Sequence, residues 1–128
     1  MQYLLTQAFN NLSFLLFIGG VATTIDASSD IESAATCLST VNAKIIIVSV
    51  ETIDNALKAA EIAGVSIENI FVFGDEDVQG CQSFTKAFLN HNESVVPAVW
   101  TPEELATAPC YLCFTSGTTG KKKAVTLT

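Results

Sequence analysis

The residues best suited to chemistry stand together near the C-terminus: Thr115, Ser116, Gly117, Thr118, Thr119 and Gly120, followed by Lys121, Lys122 and Lys123. Holding a phosphate takes glycines that let backbone N–H groups converge on one point, hydroxyls that add hydrogen bonds, and an ammonium that supplies charge. All three occur here within nine residues. The stretch does not match the nucleotide loop G-x-x-x-x-G-K-[ST], because Gly117 and Gly120 are separated by only two residues. No helical pattern follows, so a helix dipole would not contribute. A β-hairpin whose turn needs glycine, with lysines outside for solubility, explains the same composition equally well.

Other candidate groups carry less. Cys110 and Cys113 form a C-x-x-C spacing inside the strand-like run CYLCF, where residues three apart point to opposite faces. With no second Cys/His pair, the cysteines read as small buried apolar residues rather than a metal or redox site. His91, the single histidine, lies between Asn90 and Asn92 and reads as a surface residue. Glu103 and Glu104 read as solvated charge beside a turn begun by Pro102.

The elements that must position the loop follow an α/β rhythm. With 128 residues the chain is one domain or part of one, and its 49% apolar content excludes a disordered tail. Net charge is -7, and half of the six basic residues are the adjacent lysines, so a nucleic-acid surface, which needs distributed cations, is not expected. The apolar run from Phe14 to Ile18 is too short to span a membrane, and no cation precedes it. A buried helix ending at Gly19 and Gly20 is expected there, with a cleaved leader as the alternative.

Strands are expected at VATTI (21–25), KIIIVSV (44–50) and NIFVFG (69–74). Between them lie helical patterns over 31–43, capped by Asp30, and over 53–63, stopping at Gly64. The first places Ile31, Ala34, Ala35 and Leu38 inward with Val41 or Asn42; the second Ile53, Leu57 and Ala60 with Ile62 or Ala63. Asp75 to Gly80 reads as a turn, and 83–91 as a short helix with Phe84, Phe88 and Leu89 inward. Residues 91–109 contain all three prolines and read as irregular; CYLCFTS and AVTLT then form strand, loop, strand.

The string YLCFTSGTTGKKKAVTLT resembles the signature of the adenylate-forming superfamily, which includes acyl-CoA synthetases, aryl-CoA ligases, luciferases and peptide-synthetase adenylation domains. That signature runs approximately [ST]-S-G-[ST]-T-G-x-P-K-G-V, matched by Thr115 to Gly120, Lys123 and Val125. Upstream, FIGGVATTIDASSDIESAATCLSTVNAKIIIV and LKAAEIAGVSIENIFVFG extend the likeness over roughly residues 14 to 128. Lys122 stands where the signature has proline and Ala124 where it has glycine; alanine there is strained if φ is positive.

The resemblance implies a partial N-terminal domain over 1–128: a partial, mostly parallel βαβ-type α/β sheet with flanking helices, ending in a phosphate hairpin. It implies that Thr115, Ser116, Gly117, Thr118, Thr119, Gly120 and Lys123 hold the β- and γ-phosphates of ATP. A substrate carboxylate attacks the α-phosphorus, and coenzyme A captures the acyl group, with Mg²⁺ assisting. The family's later segments, including its catalytic lysine, have no counterpart before Thr128, so the chain resembles an internal fragment, inactive alone. The alternative is a non-catalytic α/β module that binds a nucleotide or a partner, and unpaired sheet edges would favour self-association.

Overall fold

The structure, a computed structural model, describes residues 19–89, 96–115 and 123–128. The chain divides into two compact units, one formed by Met1–Thr24 with Ser94–Thr128, the other by Ile25–Glu93.

The unit Ile25–Glu93 is built as expected from βαβ logic. Helix α1 (Ile31–Thr40) begins where the Asp30 carboxylate accepts the Ser33 N–H at 2.8 Å, satisfying one otherwise unpaired donor of the first turn. It ends at Val41, and Asn42 adopts a left-handed conformation (φ 51°) that closes the end. Strand β2 (Ile46–Val48) follows, then α2 (Ile53–Ala63), which stops at Gly64. Strand β3 (Ile70–Val72) is buried along its whole length and pairs in parallel with β2, Ile46 opposite Ile70 and Val48 opposite Val72.

Two apolar clusters hold this unit. Val48, Ile53, Ala60, Ile70, Val72 and Cys81 are buried between sheet and helix. Ala35 and Leu38 of α1 meet Ala59 of α2 in the second. Small side chains at Ala35 and Ala59 let the two helices approach closely, while Ala60, one position on, faces the sheet. The choice left open at the end of α2 resolves to Ala63, which packs inward; Ile62 is 64% exposed.

Past β3 the structure corrects the sequence reading. Val78 and Cys81 exchange backbone hydrogen bonds across Gln79 and Gly80, whose φ values of 51° and 84° give the doubly left-handed turn of a tight hairpin. A short strand β4 (Gln82–Ser83), not anticipated, then pairs in parallel with β3. The expected helix begins at Phe84 but continues as a π-helical turn over Thr85–Leu89. Each residue of so wide a turn advances through a smaller angle, so Leu89 leaves the inward face and is 59% exposed, contrary to expectation. Phe84 and Phe88 do turn inward, their rings 4.9 Å apart, with Phe88 edge-on to Phe71 at 4.8 Å.

The turn is tied by buried Ser83. Its hydroxyl donates to the Gly74 carbonyl at 2.6 Å and accepts the Lys86 N–H, and its own N–H donates to Asp77 at 2.9 Å. That N–H, and then the Lys86 ammonium 3.5 Å away, hold the Asp77 carboxyl below the ordinary aspartate value of 3.8. A carboxyl whose folded pKa is depressed stabilises the fold above its unfolded pKa and loses that contribution as pH falls through the folded value. Acid titration of folding stability should therefore drop below about pH 4, and Asp77→Asn should flatten that drop. An unchanged acid limb in the variant would show that the pair contributes nothing, a common outcome for exposed ion pairs.

In the other unit, parallel β1 (Ala22–Thr23) and β5 (Tyr111–Thr115) and antiparallel β6 (Lys123–Leu127) form a sheet in the order β1-β5-β6. Gly19 (φ 82°) is required where it stands, because a Cβ would lie 3.1 Å from the Ala98 Cβ and 3.3 Å from the Trp100 ring. The stretch before β5 is not wholly irregular: α3 spans Pro102–Thr107. Thr101 accepts the Glu104 N–H while the Glu104 carboxylate accepts the Thr101 N–H at 2.8 Å, a reciprocal cap with proline at the first helical position. Thr101→Ala should cost this unit about 1 kcal/mol, read as a lower urea midpoint.

Candidate functional site

The candidate loop is suspended between β5 and β6. Their antiparallel register runs from Tyr111 opposite Leu127 to Thr115 opposite Lys123, so the five-residue strands close at the base of the loop. Directly opposed residues share a face, which places Tyr111, Cys113, Thr115, Lys123, Val125 and Leu127 on one side of the ribbon. Thr115 and Lys123, the first and last of the predicted site residues, are thus brought together, both exposed. The Thr115 hydroxyl donates to the Lys123 carbonyl at 3.4 Å, bridging the neck. Ser116, Gly117, Thr118, Thr119 and Gly120 lie outside the described residues, as do the N-terminal helix expectation and His91.

The register also bears on Ala124. It sits opposite Phe114 within β6, and the only described non-glycine residues with positive φ are Asn42 and Gln79. The strand therefore accepts alanine where the signature has glycine, without the backbone strain a left-handed conformation would impose.

Two hydroxyl contacts that sequence reasoning missed anchor β5 to β1. Thr23 donates to the Leu112 carbonyl at 2.7 Å, and the Thr24 hydroxyl lies 2.6 Å from the Tyr111 hydroxyl. Together with the parallel pairing of Ala22 with Tyr111 and Thr23 with Leu112, they fix the strand that presents the loop. Their only sequence signal is the T-T pair of VATTI, one residue lining the sheet and the next reaching across it. At the far end of the hairpin, a cavity of about 180 Å³ opens among Trp100, Leu105, Pro109 and Cys110.

The cysteine expectation holds in part. Cys37 and Cys81 are buried, and burial pushes the Cys81 thiol up, away from the reactive thiolate. Cys110 and Cys113 are only partly buried, and Cys110 donates weakly to the Leu127 carbonyl at 3.3 Å. All four thiols are free. Glu103 and Glu104 are exposed as expected, on a helix rather than a turn. Among the described residues no three His, Cys, Asp or Glu side chains gather in a metal-holding group, and no helix is long and apolar enough to cross a membrane.

Comparison with known proteins decides what this hairpin belongs to. The model of the AMP-binding enzyme family matches residues 15–128. The chain belongs to this family. It is 28% identical over 116 residues to the acyl-CoA ligases AFT1-1 and AKT1 of Alternaria alternata, the match covering 86% of the chain and 20% of each ligase. Its fold is similar to that of the luciferase-like enzyme from the nonluminescent mealworm Zophobas morio, with a TM-score of 0.71 at 24% identity, covering 88% of the chain and 25% of that enzyme. The anthranilate CoA ligase AuaEII, crystallised with anthranoyl-AMP, gives 0.73 at 22% identity, with 88% and 21% covered. The AMP-binding family member described here thus spans about a fifth of the length of its curated relatives. The resemblance to the adenylate-forming superfamily and the mixed α/β fold expected from the sequence both hold.

Proposed function

We propose that this segment is the pyrophosphate-holding part of an ATP-dependent carboxylate–CoA ligase. The observation that supports the reading is the register that sets Thr115 directly opposite Lys123 at the two ends of S-G-T-T-G-K-K. It puts an ammonium and a hydroxyl on one face at the neck of a loop rich in further hydroxyls and N–H groups. In the reaction a substrate carboxylate oxygen attacks the α-phosphorus of ATP, the bond to the β-phosphate oxygen breaks, and pyrophosphate leaves. The thiol of coenzyme A then attacks the acyl carbonyl, and AMP leaves.

The hairpin acts on the first step. Negative charge grows on the departing pyrophosphate, and Lys123, the Ser116, Thr118 and Thr119 hydroxyls and the backbone at Gly117 and Gly120 meet it with positive charge and donors, while Thr115 closes the neck beneath them. Mg²⁺ belongs to this reading as the nucleotide's companion ion; no described side-chain group is assigned to hold it, and no step is routed through it. The 128-residue chain contributes the anion site, and turnover is assigned to the longer polypeptide type its relatives represent.

Carboxylate-dependent exchange of labelled pyrophosphate into ATP tests the reading. The longest translation product containing this segment should catalyse exchange with at least one member of a broad carboxylic-acid panel; the 128-residue chain should bind pyrophosphate without exchanging it. Absence of exchange by the longer product across the whole panel would refute the ligase assignment.

A further inference from the structure

We infer that Thr23 and Thr24 are positioning residues for the anion loop: acting through β5, they set where the ribbon presents Thr115 and Lys123. The inference rests on the ligase reading of that loop. The observation behind it is the unequal support on the two sides of β5. β6 follows β5 over five residue pairs, from Tyr111 opposite Leu127 to Thr115 opposite Lys123, so the two strands move as one ribbon. β1 meets β5 over two pairs, Ala22 with Tyr111 and Thr23 with Leu112. Two hydroxyls at the end of β1 fall on these same two residues of β5. Thr23 donates to the Leu112 carbonyl at 2.7 Å, and the Thr24 hydroxyl lies 2.6 Å from the Tyr111 hydroxyl.

A ladder of two pairs resists sliding weakly, because few bonds must break at once. A slip of β5 by one residue along β1 would carry the ribbon about 3.3 Å and exchange its two faces. The hydroxyl contacts oppose that slip because they are specific to position. Neither neighbour of Tyr111, Cys110 or Leu112, offers a hydroxyl to Thr24. Leu112 stands three residues before Thr115, about 10 Å along a pleated strand, so a displacement at the clasp reaches the neck of the loop. Stabilising a departing anion depends steeply on placement, and a misplacement of about 1 Å can cost about 100-fold. The Thr23 bond is partly buried, whereas the Thr24–Tyr111 pair is exposed to competing water, so Thr23 carries the larger share.

Thr23→Val keeps the β-branched shape and removes the hydroxyl. In the longest translation product it should lower carboxylate-dependent pyrophosphate exchange about 10-fold, in kcat more than in the KM for ATP. In the 128-residue chain it should weaken the binding of titrated inorganic pyrophosphate severalfold. Thr23→Ser restores the donor and should recover most of both losses. Thr24→Val and Tyr111→Phe should each lower exchange about threefold, and the double variant no further than either alone, because the two hydroxyls form one contact. Thr107→Val removes a hydroxyl–carbonyl contact on α3 in the same unit and should leave exchange unchanged. A parent that exchanges, with Thr23→Val its equal, would overturn the positioning role and leave the ligase reading intact. A parent that binds pyrophosphate without exchanging it, with Thr23→Val binding more weakly, would remove the ligase reading and support the role. A parent that binds no pyrophosphate, or a loss in Thr23→Val that Thr23→Ser does not recover, would overturn the role.

Discussion

Replacing Lys123 by alanine in the longest product that carries this segment should lower carboxylate-dependent ATP–pyrophosphate exchange about 100-fold, the scale expected when one preorganised charge is withdrawn from a developing anion. The structure sets the terms of the comparison. Lys123 is exposed at the end of β6 and its side chain enters neither apolar cluster, so its removal should leave the fold and its denaturation midpoint unchanged. An ammonium that meets pyrophosphate chiefly as it departs lowers kcat more than it raises the KM for ATP; one that only holds ground-state ATP raises KM alone. Lys123→Arg keeps the charge but exchanges a compact ammonium for a planar fork, and should restore part of the loss. If alanine changed exchange less than twofold, Lys123 would be an ordinary solvated hairpin lysine.

Ile70→Ala should be among the most damaging truncations in the Ile25–Glu93 unit, costing about 2–5 kcal/mol. Ile70 opens the middle strand of β2-β3-β4, is almost wholly buried, and packs among Val48, Ile53, Ala60, Val72 and Cys81. Truncation removes three carbons there, and the neighbours, held by strand register and by α2, have little freedom to close the space. Against a total stability of about 5–15 kcal/mol for a typical domain, such a loss is a large fraction. Ile62→Ala removes the same atoms from the exposed side of α2 and should shift stability by no more than about 0.5 kcal/mol. Urea titrations of the two variants and the parent check the contrast; equal midpoints for Ile70→Ala and Ile62→Ala would contradict it.

Much of the Ile25–Glu93 unit was legible because its signals are local. Asp30 caps, Gly64 stops, and the apolar run NIFVFG has the length and flanks of a strand, its IFV buried throughout. The misreadings arose where the deciding term was elsewhere. A 3.6-residue period turns Leu89 inward, but the π-helical turn widens that period and leaves Leu89 outside. Three prolines make 91–109 read as broken chain, although T-P-E-E carries the start signal of helix α3 in Thr101, Pro102 and Glu104. β4 is two residues long and exists only because β3 offers it a ladder.

The sequence alone determined the family and the α/β order of elements, and marked Thr115 to Gly120 with Lys123 as candidates, because these rest on short-range patterns of glycine, hydroxyl and β-branched residues. Only the tertiary structure decided that Thr115 faces Lys123, that Ala124 fits its strand unstrained, and that Thr23 and Thr24 clasp β5. Register and cross-strand contact depend on which distant segments pair, and the free energy that selects the pairing comes from burying faces whose partners lie as many as 89 residues away.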